Sequence, residues 1–532
     1  MTAPLTPGTE PRTLSEERGL RAGRSRVAHN ALLNFLGLGV PLVLAFFIMP
    51  VAALNLGPAR FGLLGLAWAI TEYLTLFDLG LGRALVKFVA DALHQPSSRL
   101  SELVSLSMAA QLVAGLVGGA LVVVAAPLLV DRVFHVPAAV ADEALRMFRV
   151  VGVTVPVVLL MTGQRAVLEG AQRFDLGALL KMLGSVAALI IPAIGAVLGW
   201  TLPAIMAGVL VARLIVCALY ALAITRALPG FRWVGSTDWS ILKQIISFGG
   251  WVLVSNTVSP LLVYFDRFAL TTIAGLAATG FYTAPYEGVV RLLLIPVSLF
   301  GSLLPALASA EARSEQTRFI RLTSSSERVL LPVMALPITL IVVFAPEILR
   351  VWLGAEYALQ SAAALRWLAI GVLANSLANP LFVALYAKNR PDLPAKFHLL
   401  ELVLHIPVTI YLIRKFGISG AAAAWSLRVT LDMCLLLLGA TRVSEAPGSV
   451  LAGGRFVRSL AAVTLLVAGL AASKSLIAVS TLACAAGVLA SSIAFVMVTW
   501  RWLFEDTERA AIAGTFWSYT KVGAFRRGEG LI

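Results

Sequence analysis

Charge is scarce in this chain. Only 13% of its 532 residues are Asp, Glu, Lys or Arg, against 59% hydrophobic, which excludes an ordinary water-soluble surface. Cysteine is scarce too: Cys217, Cys434 and Cys484 all fall in apolar stretches, so neither a disulfide framework nor a metal cluster is implied and each reads as a packing residue. The motifs G-x-x-x-x-G-K-[ST], H-E-x-x-H, D-x-D and C-x-x-C are absent, which argues against ATP hydrolysis within the chain and leaves glycosyl transfer without its usual aspartates. Outward loops are short and give an enzyme acting on the far side no substrate-binding segment. We expect a protein that is not an enzyme, with no cofactor and no metal.

What is present is length of apolar chain. Mean hydropathy is +0.89, and the apolar stretches reach the roughly 20 residues needed to cross about 30 Å of hydrocarbon. They lack the strict alternation of a barrel, so their backbone groups are satisfied as helices. Fourteen transmembrane helices are expected, starting near His29, Arg60, Leu100, Ala144, Asp175, Thr201, Ile241, Thr279, Glu327, Ala363, Leu393, Ile418, Arg455 and Ser475. The start is polar up to Asn30, with Arg18, Arg21, Arg24 and Arg26 ahead of the first span, and reads as a cytoplasmic tail rather than a cleaved signal.

The net charge of +14 reflects topology, and no nucleic-acid partner is expected. Of 42 Lys and Arg, 27 fall in the loops and termini of one side, 7 on the other and 8 inside spans. The positive-inside rule then makes both termini cytoplasmic in a multi-pass protein of the cytoplasmic (inner) membrane.

Three loop motifs recur. Gly57-Pro58-Ala59-Arg60-Phe61-Gly62 is echoed by Gly275-Leu276-Ala277-Ala278-Thr279-Gly280 at an offset of 218, and Gly199-Trp200-Thr201 by Gly417-Ile418-Ser419 at 218. Arg173-Phe174-Asp175-Leu176 is echoed by Arg390-Pro391-Asp392-Leu393 at 217. One offset kept across three loops implies a duplication of a six-helix unit, a parallel repeat because six is even. The expected division is a tail at 1–28, an N-lobe at 29–226, a linker at 227–243, a C-lobe at 244–442, helices thirteen and fourteen at 443–504 and a cytoplasmic tail at 505–532. The stretch Arg226 to Lys243, with Trp233 and Trp239, is suited to a surface helix at headgroup level.

Ionisable groups inside spans each need a partner, a watery cavity or a function. The second span holds Glu72, Asp78, Arg83 and Lys87; eleven residues return Glu72 and Arg83 to nearly one helix face, unless Gly80 and Gly82 break the helix. The seventh holds Asp266 and Arg267, adjacent and so unable simply to pair with each other. The eighth holds Glu287 and Arg291 at i, i+4, for which an intrahelical ion pair is the plain alternative. Snorkelling to headgroups is the plain alternative for Lys87 and Arg83, and headgroup anchoring accounts for Arg213, Arg366 and Arg428. Arg83, Lys87, Arg267 and Arg291 are candidates to bind an anionic substrate, since Arg suits phosphate. Asn34 and Asn256, with Tyr264, Tyr282 and Tyr286, are candidates to bond sugar hydroxyls. Glu72, Asp78, Asp266 and Glu287 are candidates to bind a coupling ion.

The runs Leu56-Gly57-Pro58-Ala59-Arg60-Phe61-Gly62, Asp78-Leu79-Gly80-Leu81-Gly82-Arg83-Ala84, Asp266-Arg267, Gly280-Phe281-Tyr282-Thr283-Ala284 and Gly417-Ile418-Ser419-Gly420-Ala421-Ala422 together resemble the polysaccharide flippase branch of the multidrug/oligosaccharidyl-lipid/polysaccharide exporter superfamily, over nearly the whole chain. The resemblance implies two six-helix lobes with a helix pair appended and a cationic central cavity. It further implies translocation of a polyprenyl-pyrophosphate-linked oligosaccharide by alternating access, driven by an ion gradient, and polysaccharide-assembly membrane proteins as partners. A drug/cation antiporter of the same fold is the competing transporter reading, and a membrane glycan-processing enzyme the competing reading from another class.

Overall fold

The computed structural model describes residues 14–78, 81–93, 97–228, 230–235, 261–443, 454–478, 480–504 and 509. Among these residues the chain is helical and without strands, as a segment solvated by lipid must be when it closes its backbone hydrogen bonds on itself. Eleven helical stretches are long and apolar enough to cross a membrane. In chain order the helices are α1 (Leu14–Leu74), α2 (Leu81–Ala92), α3 (Ser97–Leu128), α4 (Ala138–Gly170), α5 (Phe174–Val197), α6 (Leu202–Ala227), α7 (261–274), α8 (Leu276–Val290), α9 (Leu294–Ala312), α10 (Gln316–Leu353), α11 (Ala355–Ala387), α12 (Asp392–Val443), α13 (Gly454–Ser475) and α14 (Thr481–Trp502). The expected start of a seventh span at Ile241 lies outside the described residues, and α1 already runs through the end of the stretch read as a tail.

Two of these helices are pairs joined at a glycine. Gly57 breaks α1 at φ +72°, and Gly417 breaks α12 at φ +55° into two arms, each long enough to cross a bilayer. The second span is also broken, where the sequence allowed it: a 3₁₀ turn covers Thr75–Asp78 and α2 begins only at Leu81. Helical periodicity therefore does not carry Glu72 onto the face of Arg83.

The helices group into two compact units. The first takes in α1 up to Met49, Leu74–Ala125 and the chain from Arg146; the second takes in Pro50–Tyr73, Ala126–Leu145 and all described residues from 261 on. In the first unit, small residues let backbones approach: a Cβ on Gly119 would collide with the Gly152 carbonyl, and one on Gly115 would lie 3.1 Å from the Pro156 nitrogen. Past α6 the chain at 231–235 is not helical and is pinned to α3 where the hydroxyls of Ser101 and Ser105 accept from the Arg232 and Val234 amides.

In the second unit, prolines fix where polar side chains are needed. Pro285 in α8 has no N–H for the Phe281 carbonyl, and the Ser361 hydroxyl on α11 donates to it at 2.7 Å. Pro346 in α10 likewise frees the Val342 carbonyl, which accepts from Arg366 Nε at 3.1 Å. Arg366 is thus a backbone cap rather than a headgroup anchor. Lys474 of α13 ties into the same kink, donating to the Val343 carbonyl and pairing with Glu347 at 3.0 Å.

The repeat is legible in local geometry. Gly57 and Gly275 share a left-handed extended conformation (φ, ψ of 72°, 165° and 88°, 173°), and within the second unit their turns rest on each other. A Cβ on Gly62 would collide with the Leu276 carbonyl, and one on Gly280 with the Pro58 carbonyl. Gln172 and Asn389 both stand at positive φ, as do Gly199 and Gly417. Arg173 then grips Asp175, and Arg390 grips Asp392, each through two hydrogen bonds.

Candidate functional site: buried charge on α7, α8 and α12

Two touching clusters of charge stand inside the helices of the second unit. In the first, Asp266 and Arg267 leave α7 in different directions and find different partners on α8. The Asp266 carboxylate accepts from the Tyr282 hydroxyl and from the Arg267 amide. Arg267, with its side chain 2% exposed, donates from Nη2 to Glu287 Oε1 at 2.7 Å. Glu287 is shared, because its other oxygen lies 3.5 Å from Arg291 Nη2. Arg291 itself sits in the 3₁₀ turn Arg291–Leu293 that follows α8. The intrahelical pair is therefore one half of a bridge, with a carboxylate held between two guanidiniums.

Aromatic rings enclose the bridge. The Arg267 guanidinium lies 4.5 Å from the Tyr286 ring centroid and 5.5 Å from that of Tyr264, close enough for cation–π attraction, and its Nε makes no hydrogen bond. Tyr286 meets Trp425 edge-on at 5.7 Å. A hydroxyl contact between Thr271 and Thr279, at 2.8 Å, ties α7 to α8 one turn away.

The second cluster lies between the arms of α12 and was not singled out in the sequence. Glu401, with a fully buried side chain, accepts from Arg428 at 3.2 Å and lies 3.7 Å from His398. His398, Glu401 and Asp432 bring three possible ligand atoms within 4.8 Å of one another. A guanidinium already stands on Glu401, so the group is ill suited to a metal ion. Arg428 is accordingly an ion-pair partner, not a headgroup anchor. His405, one turn past Glu401, is buried and meets Phe265 of α7 at 6.2 Å. The signal was available: His398, Glu401 and His405 recur at i, i+3 and i+7 on one face of a span, facing Arg428 and Asp432 at i, i+4.

The remaining candidates fall elsewhere. Asp78, in the first unit, accepts from the Gly82 amide at 2.9 Å and from Gln111 Nε2 at 2.6 Å, and so caps α2. Glu72 and Lys87 are exposed, with Lys87 Nζ 5.9 Å from the Phe88 ring centroid. The side chains of Asn34 and Arg83, and all of Asn256, lie outside the described residues. Cys217, Cys434 and Cys484 are free thiols.

Known proteins share this architecture. The "Putative O-antigen transporter" of Shigella flexneri is 28% identical over 77% of this chain and 96% of its own length. The "Probable low-salt glycan biosynthesis flippase Agl15" of Haloferax volcanii is 26% identical over 34% of this chain and 39% of its own. Among solved structures, a multidrug resistance MATE family transporter of the MOP superfamily in an inward-facing conformation superposes with a TM-score of 0.65 at 14% identity, covering 77% of this chain and 98% of that one. The lipid II flippase MurJ superposes at 0.61 and 13%, covering 88% and 99%. These likenesses in structure establish the fold. The sequence match settles the family: residues 27–311, more than half the chain, match the family described as polysaccharide biosynthesis protein, and the chain belongs to it.

Proposed function

We propose that this protein is a flippase that carries a polyprenyl-pyrophosphate-linked oligosaccharide across the cytoplasmic membrane for cell-surface polysaccharide synthesis. The observation that carries the reading is the Arg267–Glu287–Arg291 bridge among tyrosines. A diphosphate presents the same chemistry as Glu287, two or more oxygens for two guanidiniums, with greater charge. Substrate and carboxylate would therefore compete for one pair of arginines, and a coupling cation taken up by Glu287 would release both. That competition is a route by which an ion gradient drives an anionic lipid across, with Asp266 as a further candidate to bind the coupling ion.

The sequences and names of the two relatives support an oligosaccharide-lipid substrate, and the likeness to transporters of known fold supports two six-helix lobes that alternate access. Both termini would lie in the cytoplasm, and Asn34, Asn256, Arg83 and Lys87 would contribute to the path. Membrane proteins of polysaccharide assembly are the natural neighbours.

Arg291→Glu is the direct test, because Arg291 is part-exposed and leaves the Arg267–Glu287 pair intact. Surface glycan should fall at least tenfold, by the loss of one charge-assisted phosphate contact, with the protein still in the membrane at normal level. Normal surface glycan in this variant would overturn the site. One observation favours the drug/cation antiporter: Asp266 and Glu287 balance Arg267 and Arg291 in number. Export of cationic dyes by cells that lack surface-glycan defects would decide for it.

A further inference from the structure

The two arms of α12 enclose a cavity of about 540 Å³ at the end where the helix both begins and finishes, with Leu393, Phe397, Leu435 and Leu438 on its walls and Arg390 and Arg442 beside them. The first copy of the repeat supplies a control for this feature. There the frame is the same, down to the arginine–aspartate clasp before the first arm, but the space is filled. Tyr220, 218 residues ahead of Leu438, is 2% exposed and its hydroxyl donates to the Gly177 carbonyl at 3.2 Å. Ile224, 218 residues ahead of Arg442, is 0% exposed.

In the second copy both positions are reversed. Leu438 is 54% exposed, and the buried isoleucine is replaced by an exposed arginine that has no ion pair among the described residues. Gly439 clears further room, since a Cβ there would lie 3.2 Å from the Phe397 ring. Arg390, Lys396 and Arg442 outnumber Asp392 and, next along the chain, Glu445. The crevice is thus apolar inside and cationic at its mouth, whereas the first copy buries the matching residues, Tyr220 and Ile224.

We propose that this crevice binds one anionic phospholipid of the adjacent leaflet, its phosphate on Arg442 with Arg390, clasped to Asp392, beside it, and an acyl chain along Phe397, Leu435 and Leu438. Basic pockets between helices at the membrane surface are suited to phosphate headgroups, and arginine meets phosphate bidentately. The site is separate from the Arg267–Glu287–Arg291 bridge and does not depend on what the protein transports.

The test is native mass spectrometry of the full-length protein in neutral detergent, titrated with dioleoyl phosphatidylglycerol or dioleoyl phosphatidylcholine. One phosphatidylglycerol should be retained over phosphatidylcholine by roughly tenfold or more. Arg442→Gln should abolish the preference. Leu438→Tyr, which installs the first copy's plug, should lower retention of both lipids while leaving the melting temperature unchanged or raised. Equal retention of the two lipids by the wild type, or a preference surviving both substitutions, would overturn the site. So would displacement by inorganic phosphate as effective as by the lipid, or a higher preference for undecaprenyl phosphate. Because binding alone is read, the outcome is independent of glycan export.

Discussion

At the scale of single residues, the arrangement turns on Glu287, which two arginines share. Removing Arg267 takes from Glu287, whose side chain is 26% exposed, its closer partner and leaves it the guanidinium of Arg291 at 3.5 Å, and losing a charge-assisted hydrogen bond at a part-buried carboxylate costs about 1.5–3 kcal/mol. Arg267→Ala should therefore lower the thermal stability of the purified protein sharply, and Arg267→Ala/Glu287→Ala should recover much of the loss without recovering glycan export. Stability unchanged in the single variant would mean the pair is solvated and the bridge is incidental. The presence of these groups was legible in the sequence, because Asp266, Arg267, Glu287 and Arg291 stand out as charges inside spans. So was the i, i+4 pair of Glu287 with Arg291; the pairing of Arg267 with Glu287 was not, since they stand twenty residues apart on different helices and only the crossing of α7 with α8 brings them together. The α12 cluster was overlooked for a like reason. Each arm carries its polar residues on one face, but only the turn at Gly417 sets Glu401 against Arg428.

At the scale of elements, prolines and the groups that answer them explain polar residues that composition alone would assign to the headgroups. Arg366 looked like an anchor because it stands alone in its span; its partner is a carbonyl, which no side-chain pattern reveals. The pairing of Ser361 with the carbonyl freed by Pro285 makes a sharp prediction. Ser361→Ala should destabilise by about 1–2 kcal/mol, the price of a buried unsatisfied carbonyl. In a Pro285→Ala background, where the helix supplies its own N–H again, the same substitution should cost nearly nothing. A double-mutant cycle on melting temperature measures the difference, and equal costs in both backgrounds would remove Ser361 from this role. The breaks at Gly57 and Gly417 were legible as glycine positions, whereas the non-helical run at 231–235 was not, because its hydrogen bonds go to serines of α3 far back in the chain.

At the scale of the whole molecule, the duplication is the feature that the sequence carried furthest. Three short echoes at offsets of 217 and 218 reappear as matched φ angles, a matched pair of arginine–aspartate clasps, and turns that pack reciprocally at Gly62 and Gly280. The copies differ where chemistry is concentrated. Glu401, Arg428 and Asp432 have Gly184, Leu210 and Leu214 as their counterparts at the repeat offset, so the ionisable network belongs to one copy only. Gly280→Val should destabilise by about 1–3 kcal/mol or more, since the added side chain drives into the Pro58 backbone. Gly62→Val should do the same from the other side, with the two effects sub-additive in a double variant. A reporter fused after α14 tests the charge-based topology: fluorescence from a cytoplasm-dependent fusion is the expected result, and activity only of a fusion that works outside the membrane would invert it.

The reciprocal turns also set a schedule for biosynthesis. The Gly57–Gly62 turn leaves the ribosome more than two hundred residues before its partner, which at about 5–20 residues per second is a wait of roughly 10–40 s. Throughout that interval the glycine face that will receive Leu276 and Gly280 is bare to lipid, so the bend of α1 at Gly57 should be a recognition point for membrane chaperones and proteases. A chain truncated before Gly275 should be degraded rapidly, while one truncated shortly after Gly288 should gain lifetime, although neither contains α12 or any of the helices that follow.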